Sequence, residues 1–270
     1  MSEYNDVIYC YDGTLKGFYT CVFESFEKKE RPNEILSQYP EQLAFCNLKE
    51  IVTNPEKARR VAASLPRRIS RQVAEFVQFG FLTNLPNKEI LLLDFIYKAF
   101  RFGPIILQRL TDDTVNTLDK AVRFLKSESH LLCGFVRFSM YDTIAVSIIH
   151  PKNIVLPVVR SHFCDRFADQ TFMIYDETHH MALVHRPGES EIIPLHRLEL
   201  DRPDPNELRY RKLWKEFYDT IAIKERYNPR CRMSHMPKRY WQDMTEFQDH
   251  VSASLHPVLH GSASTIPQHA

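Results

Sequence analysis

The sequence predicts an α+β fold in which a helical N-terminal half packs with an antiparallel β-β-α-β-β sheet and C-terminal helices. Residues 55–130 carry apolar side chains at helical spacing. From about residue 133 to 200, short alternating apolar runs are separated by turn residues. A polar break at residues 201–205, DRPDP, then precedes a further amphipathic helix.

We expect a single α+β domain over residues 1–251 of the 270-residue chain. Its helical part spans about residues 14–130, its sheet part about 133–200 and its C-terminal helices about 204–250. The remaining residues, 252–270, are small and polar, and we expect a disordered tail.

The composition is that of an ordinary globular protein, with 44% hydrophobic and 26% charged residues. No apolar run approaches the roughly 18–20 residues that span a bilayer, so no membrane association is predicted. The start of the chain, MSEYNDVIYCYDG, lacks the features of a secretion signal, and we expect a cytoplasmic protein. The six cysteines are scattered without a C-x-x-C pair, which argues against a zinc site or a disulfide framework. No metal and no cofactor is therefore predicted.

The first elements are a strand at residues 7–11, VIYCY, and a helix from Thr14 to about Lys29. Asp12-Gly13 forms the turn between them. A strand, a glycine turn and a helix resemble a phosphate-binding loop, but a single glycine without the complete motif is weak evidence for a nucleotide site.

Two later helices have clear apolar faces. Their inward residues are Leu92, Phe95, Ile96, Ala99 and Phe100 in the first, and Val115, Leu118, Val122 and Leu125 in the second. These residues are predicted to form core.

The sheet region begins with GFVRFSM and TIAVSII, two runs joined at Tyr141-Asp142. A helix opened by Pro157 follows, and TFMIYD and MALVHR then form a second hairpin. The next helix starts at Asp204-Pro205. We expect its apolar face to pack inward and its basic residues to lie on or beside the outer face. The apolar residues are Tyr210, Leu213, Trp214, Phe217 and Ile221, and the basic ones are Arg211, Lys212 and Lys215.

The formal net charge of +1 conceals two basic blocks. Residues 202–241 contain eleven Lys/Arg against five Asp/Glu, and residues 56–80 contain six against two. Such blocks attract an anionic polymer. For the block at residues 56–80, a solvated helix face is an equally good interpretation.

The segment IKERYNPRCRMSHMPKRYW places aromatic rings among cations. Cations bind phosphates and exposed rings stack on unpaired bases, so this segment predicts a nucleic-acid surface. Two cations of the sheet region, Arg137 and Arg166, are added to this segment. The candidate binding residues are therefore Arg137, Arg166, Arg226, Asn228, Lys238, Arg239, Tyr240 and Trp241. The alternative is that Tyr240 and Trp241 are core residues clamping a helix to the sheet.

A second group of residues has the chemistry of acid–base catalysis. His162 lies four residues from Arg166 on the predicted helix, Asp176 ends a strand, and His130 and Glu128 lie at a helix end. We take His162, Asp176 and His130 as candidate catalytic residues. The alternative is a structural hydrogen-bond network.

Five blocks of sequence, in order, resemble a bacterial family of probable DNA-metabolism or DNA-repair proteins. They are YDGTLKGFYTCVFESFEKK, ESHLLCGFVRF, HFCDRFADQTFMIYDE, LWKEFYDTIAIKERYNP and MPKRYWQDMTEF. The family is that of the domain of unknown function 4130. The resemblance implies a DNA context, relatives fused to a uracil-DNA glycosylase domain, and an association with a radical SAM protein of DNA repair.

Together these observations predict an accessory protein of DNA repair or metabolism that binds DNA through its basic-aromatic C-terminal surface, with a radical SAM protein as partner. One alternative is an enzyme acting on a DNA base or phosphate through the histidine and aspartate residues. Another is a protein–protein adaptor whose basic-aromatic segment docks an acidic partner.

Overall fold

A computed structural model of the chain describes residues 7–37, 47–141, 143–200, 205–221, 228–244 and 247. Helices and two sheets are both present, which confirms the α+β class. The chain divides into two compact units, one of Met1–His130 with Pro151–Arg160 and one of Leu131–His150 with Ser161–Ala270. The single domain over residues 1–251 stays a prediction, and the predicted tail at 252–270 lies outside the described residues.

The first unit contains a three-stranded parallel sheet. Its strands are β1 (Val7–Cys10), β2 (Glu34–Leu36) and β3 (Asn47–Glu50), in the order β2-β1-β3. Helix α1 (Leu15–Lys28) begins where the Thr14 side chain accepts a hydrogen bond from the Gly17 backbone N. The strand before Asp12 and the helix after Thr14 confirm the prediction. β2 and β3 were not predicted, because runs of three and four residues carry too little periodicity.

Four further helices complete this part of the chain as predicted for residues 55–130. They are α2 (Pro55–Arg68), α3 (Arg71–Leu82), α4 (Lys88–Phe102) and α5 (Asp113–Phe135), with a 3-10 helix at Gly103–Gln108. The predicted inward residues of α4 and α5 are buried, with one exception. Phe100 is 37% exposed, so its assignment to the core was wrong.

The second unit contains a five-stranded mixed sheet in the order β4-β5-β6-β7-β8. The strands are β4 (Ser139–Tyr141), β5 (Ile144–Ile149), β6 (Phe172–Asp176), β7 (Met181–Arg186) and β8 (Glu189–Pro194). The prediction of a fully antiparallel sheet was wrong at one pairing, since β5 and β6 are parallel, with Val146 opposite Met173. Helix α6 (Leu156–Arg166) stands between these strands in the chain, and a helical crossover is what parallel neighbours require.

The C-terminal elements are α7 (Pro205–Ile221), α8 (Pro229–His235) and a 3-10 helix at Lys238–Asp243. The predicted helix start at Pro205 is confirmed, and the predicted capping residue Asp204 lies outside the described residues. The predicted inward orientation of the α7 apolar face was wrong for four of its five residues, and the side chain of the fifth, Ile221, lies outside what the structure describes. Tyr210 is 68% exposed, Leu213 49%, Trp214 43% and Phe217 52%. Within the described ranges, no helix is long and apolar enough to cross a membrane.

Candidate functional site

His150, at the end of β5, lies between two carboxylates of the second unit. Its Nδ1 is 2.7 Å from Asp243 Oδ1, and its Nε2 is 2.5 Å from Glu177 Oε2. The His150 backbone N also donates to Asp243 Oδ2 at 3.3 Å. The site therefore draws on three elements: β5, the turn after β6, and the C-terminal 3-10 helix.

The two carboxylates favour the charged imidazolium. The hydrogen bond to Asp243 is the main cause that raises the pKa of His150 to about 9, and Glu177 acts in the same direction. At neutral pH both ring nitrogens are therefore protonated and donate to the two carboxylates. Asp243 is nearly buried, with 8% of its side chain exposed, whereas 54% of Glu177 is exposed. Glu177 is thus the partner that can exchange with solvent or a ligand.

A cavity of about 220 Å³ lies beside this cluster. We call it the polar cavity. Its walls combine charged, hydroxyl and apolar side chains: Arg137, Ser139, Tyr141, Val146, Ser147, Ile148, His150, Glu177, Leu200, Arg211, Gln242 and Asp243. A concave site with several convergent polar groups is the usual form of a small-molecule site.

A second and larger cavity, of about 760 Å³, runs along α7. We call it the aromatic groove. It is lined by the exposed α7 residues Tyr210, Leu213, Trp214 and Phe217, together with Arg137, Phe138, Glu207 and Arg211. The Trp214 and Phe217 ring centroids are 5.7 Å apart. Arg137 and Arg211 line both the aromatic groove and the polar cavity.

Helix α7 packs on the sheet through two polar residues, Glu207 and Arg211, and this explains why Trp214 and Phe217 are exposed. Glu207 is 9% exposed, and its Oε2 accepts a hydrogen bond from the Met140 backbone N at 3.2 Å. Arg211 Nε pairs with Glu207 Oε1 at 2.9 Å, and Arg211 Nη2 donates to Ser139 Oγ at 2.5 Å. These polar contacts fix the Glu207–Arg211 side of α7 on β4. Tyr210, Trp214 and Phe217 are left facing solvent.

None of the three predicted catalytic residues lines the polar cavity. Asp176 is fully buried, and its carboxylate accepts from the His179 backbone N at 3.1 Å and lies 2.7 Å from His179 Nδ1. These contacts hold the β6–β7 turn, which favours the structural alternative for Asp176. His162 is exposed on α6 with its ring edge-on to Phe163 at 5.1 Å, and His130 is exposed on α5.

Glu128, considered beside His130, is also structural. It is 1% exposed and accepts hydrogen bonds from the backbone N of Lys152 and from both the backbone N and Nδ2 of Asn153.

The predicted nucleic-acid residues of the sheet region differ in exposure. Arg137 is half-buried, and its Nη1 donates to the Gly134 carbonyl at 2.9 Å. Arg166 is exposed, with its guanidinium 5.8 Å from the Phe167 ring centroid. Arg137 therefore belongs to the site described here, whereas Arg166 lies on the exposed surface of α6.

The predicted residues of the C-terminal segment divide into exposed and packed groups. Arg226 lies outside the described residues. Asn228 is exposed and caps α8 by accepting from the Cys231 backbone N. Lys238 is exposed, with its Nζ 5.9 Å from the Trp241 ring centroid.

Tyr240 is 2% exposed, so its assignment as a stacking platform was wrong. Its ring lies 5.4 Å from Phe135, and its hydroxyl accepts a hydrogen bond from Arg239 Nη2. Trp241 is half-buried, stacks on Phe247 at 4.8 Å and donates from Nε1 to the Met236 carbonyl. These contacts favour the clamping alternative at Tyr240.

Residues 86–246 match the model of a family described as domain of unknown function DUF4130, more than half of the chain. The chain belongs to the DUF4130 family. No curated protein matches it.

The DUF4130 match includes the candidate site in full. Arg137, His150, Glu177, Arg211 and Asp243 all fall within residues 86–246. The three-stranded parallel sheet and helices α1 to α3 fall outside the match. The polar cavity and the aromatic groove are thus features of the segment that defines DUF4130.

Sequence reasoning missed His150 and Asp243, which are 93 positions apart. Neither residue stands in a motif with recognisable spacing, and only the fold brings them together. The signal for the aromatic groove was present, since Tyr210, Trp214 and Phe217 lie among cations in the basic block of residues 202–241. Their helical spacing was interpreted as core.

Among the residues that the structure describes, no cluster of His, Cys, Asp and Glu is arranged to hold a metal ion. At His150, Asp243 lies against one ring nitrogen and Glu177 against the other, so these three side chains do not surround a common metal position.

Proposed function

We propose that this DUF4130 protein binds single-stranded nucleic acid in the aromatic groove. The observation that supports it most directly is the exposure of Tyr210, Trp214 and Phe217 along one groove that also contains two arginines. A soluble protein rarely leaves several large apolar side chains adjacent and exposed unless they meet a ligand.

Stacking platforms and cations are the two components of single-strand binding. Unpaired bases stack on aromatic rings irrespective of sequence, and arginines contact the phosphates between them. Arg209 and Lys212 add exposed cations on α7. The aromatic side chains and the cations of α7 therefore provide both components over one short stretch of chain.

The proposal extends to the biological role. We infer that the strand is DNA and that the protein is an accessory factor of DNA repair or metabolism, with a radical SAM protein supplying the chemistry. This extension rests on the family resemblance of the sequence blocks.

Fluorescence anisotropy with an end-labelled single strand of about 16 nucleotides tests strand binding. Trp214→Ala and Phe217→Ala each remove one platform, and a lost base stack costs about 1–3 kcal/mol, or roughly 5- to 150-fold in Kd. Phe124→Ala is the matched control, since Phe124 is an exposed aromatic of α5, 38% exposed, outside the groove. We expect its Kd to equal that of the unaltered protein.

Two results would contradict the proposal. The first is the absence of binding at low salt to single strands of any composition. The second is equal binding by the Trp214→Ala protein. A protein partner that binds the unaltered chain and not the Trp214→Ala variant, in the absence of strand binding, would instead identify an adaptor.

A further inference from the structure

A third cavity, of about 590 Å³, lies within the first unit. We call it the arginine cleft. Its apolar walls include Phe23 and Phe26 of α1, Val61 of α2 and Phe100 of α4. The exposure of Phe100 is thus explained, because its side chain forms part of a concave surface. Apart from Phe100, the lining lies before residue 86, where the match to DUF4130 begins.

Three arginines of α2 supply the charge of the arginine cleft. Arg60, Arg67 and Arg68 line it together with the apolar residues, and its lining contains no Asp or Glu. All three are exposed, and in the part of the chain that the structure describes none of them pairs with a carboxylate. The α1 carboxylate of Glu24 is paired with Lys57 instead, at 2.5 Å. The arginines are therefore available to an anionic ligand from outside the chain.

The spacing of the arginines favours a ligand with several negative groups along its length. Arg60 and Arg67 are seven positions apart, so their Cα atoms lie about 10 Å apart on the same side of α2. Guanidinium groups bind carboxylates through two parallel hydrogen bonds, and Arg is the preferred residue for such pairs. A chain that carries carboxylates at intervals matches this row of arginines better than a single small anion does.

The aromatic rings of the arginine cleft are less suited to stacking on bases. Phe26 is stacked on Tyr97, with ring centroids 4.0 Å apart, and the Phe100 centroid lies 5.4 Å away at a steep angle. The guanidinium of Arg60 lies over the Phe23 ring, 4.8 Å from its centroid. Because a neighbour already covers a face of Phe23 and of Phe26, a nucleic-acid strand would find few open platforms here. Apolar side chains need only the exposed edges.

A membrane surface also matches the charge of the arginine cleft, but the packing of α2 disfavours it. A helix that binds a membrane buries its apolar face among the lipids. The apolar residues Ala58, Val61 and Leu65 of α2 are instead buried within the protein. The ligand that fits best is therefore a polypeptide with both acidic and apolar side chains.

We propose that the arginine cleft docks an acidic segment of a partner protein. Large apolar side chains of that segment lie against the three phenylalanines, and Asp or Glu residues beside them pair with the three arginines. Apolar anchors within a rim of complementary charges are the usual arrangement of such a groove. This docking site is separate from the aromatic groove, and it does not depend on whether that groove binds a strand.

A selection from random peptides tests the arginine cleft. Phage-displayed peptides of about twelve residues, long enough to fill a groove, are selected on the unaltered full chain and depleted on the Arg60→Glu, Arg67→Glu double variant. We expect the retained peptides to be rich in Asp and Glu and to contain large apolar residues. Their Kd, measured by fluorescence anisotropy, should rise about tenfold or more in each of the two single variants.

Matched controls separate the cleft from general effects of charge and stability. Arg59→Glu makes the same charge change at an exposed neighbour on α2 that does not line the cleft, and it should change the Kd less than about threefold. Phe100→Ala removes part of the apolar wall and should weaken binding about tenfold. Phe124→Ala, which removes a ring of nearly equal exposure outside the cleft, should leave the Kd unchanged. Thermal unfolding of each variant checks that it is folded.

Three results would overturn the proposal. One is a selection that retains no peptides, or peptides without acidic enrichment. Another is an equal Kd for the retained peptides in Arg60→Glu and Arg67→Glu. The third is Arg60-dependent binding to phosphatidylglycerol vesicles or to a single-stranded oligonucleotide in place of peptides, which would assign the cleft to a membrane or to nucleic acid. Peptides that bind the Trp214→Ala protein normally support the docking site, whatever the result for strand binding in the aromatic groove.

Discussion

The Nδ1 of His150 lies 2.7 Å from Oδ1 of Asp243, and the backbone N of the same histidine donates to the other oxygen of that carboxylate. One aspartate thus binds both the ring and the backbone of one residue. The contact joins the end of β5 to the C-terminal 3-10 helix within the second unit. It also sets the charge state of His150 at the edge of the polar cavity.

The stability of the second unit should depend on pH through this contact. The pKa of His150 is raised from 6.5 to about 9 in the folded state, so folding favours the protonated ring. The stabilisation is fully present below about pH 6.5 and is lost as the pH rises through 9. Because about a third of the histidine is exposed, we expect a loss of about 1–2 kcal/mol in urea unfolding between pH 6 and pH 9.5.

Asp243→Asn is the variant that isolates this effect. It removes the main cause of the raised pKa, so its unfolding free energy should change less over the same pH range. NMR titration of the His150 ring provides a direct measurement of the pKa. A His150 pKa near 6.5 in the unaltered protein would contradict the prediction.

The helices of residues 55–130 could be predicted because helical periodicity is local. Each apolar face of α4 and α5 is defined within a few turns of sequence. The parallel pairing of β5 with β6 and the contact of His150 with Asp243 could not be predicted, because both depend on residues distant in sequence.

Helix α7 shows a second reason why the sequence pattern could not predict the candidate site. An apolar face has the same spacing whether it packs on the protein's own core or remains exposed for a ligand, so periodicity alone could not orient Trp214. What orients α7 is the pair Glu207 and Arg211, whose partners Met140 and Ser139 lie far earlier in the chain.

Glu128 should be essential for the stability of the first unit. Its carboxylate accepts three hydrogen bonds from Lys152 and Asn153 while 1% exposed. Glu128→Ala leaves these donors without that acceptor, and we expect a loss of about 2–4 kcal/mol in chemical unfolding. Glu27→Ala is the control, since Glu27 has 52% of its side chain exposed and its ion pair with Lys57 is long, at 3.5 Å; it should cost under about 0.5 kcal/mol. Equal midpoints for the two variants would refute the structural role of Glu128.

Replacement of each of two helical glycines by alanine should change the stability of the protein in opposite directions. A Cβ on Gly17 would lie 2.1 Å from Asp12 Oδ1, an atom fixed by hydrogen bonds from the Thr14 backbone and side chain. Gly17→Ala should therefore destabilise the protein by about 2 kcal/mol or more. A Cβ on Gly134 meets no heavy atom within 4 Å, and Gly134→Ala should stabilise α5 by about 0.5–1 kcal/mol. Thermal unfolding measures both, and a higher melting temperature for Gly17→Ala would contradict the close approach.

Lys238 and Arg239 are adjacent cations that should behave differently. Lys238 is exposed, whereas Arg239 is half-buried, with its guanidinium 4.6 Å from the Tyr240 ring centroid and a hydrogen bond to the Tyr240 hydroxyl. If Lys238 contacts a phosphate of the bound strand, Lys238→Gln should reduce the slope of log Kobs against log salt by roughly 0.7–1 and leave the unfolding free energy unchanged.

Arg239→Gln should instead lower the unfolding free energy by about 1 kcal/mol, because it removes the contacts that hold Tyr240. Anisotropy titrations over a salt series and urea unfolding of both variants separate the two effects. An unchanged salt slope in Lys238→Gln would remove Lys238 from the strand-binding surface. Binding would then be confined to the aromatic groove, where Trp214→Ala would still remove one stacking platform.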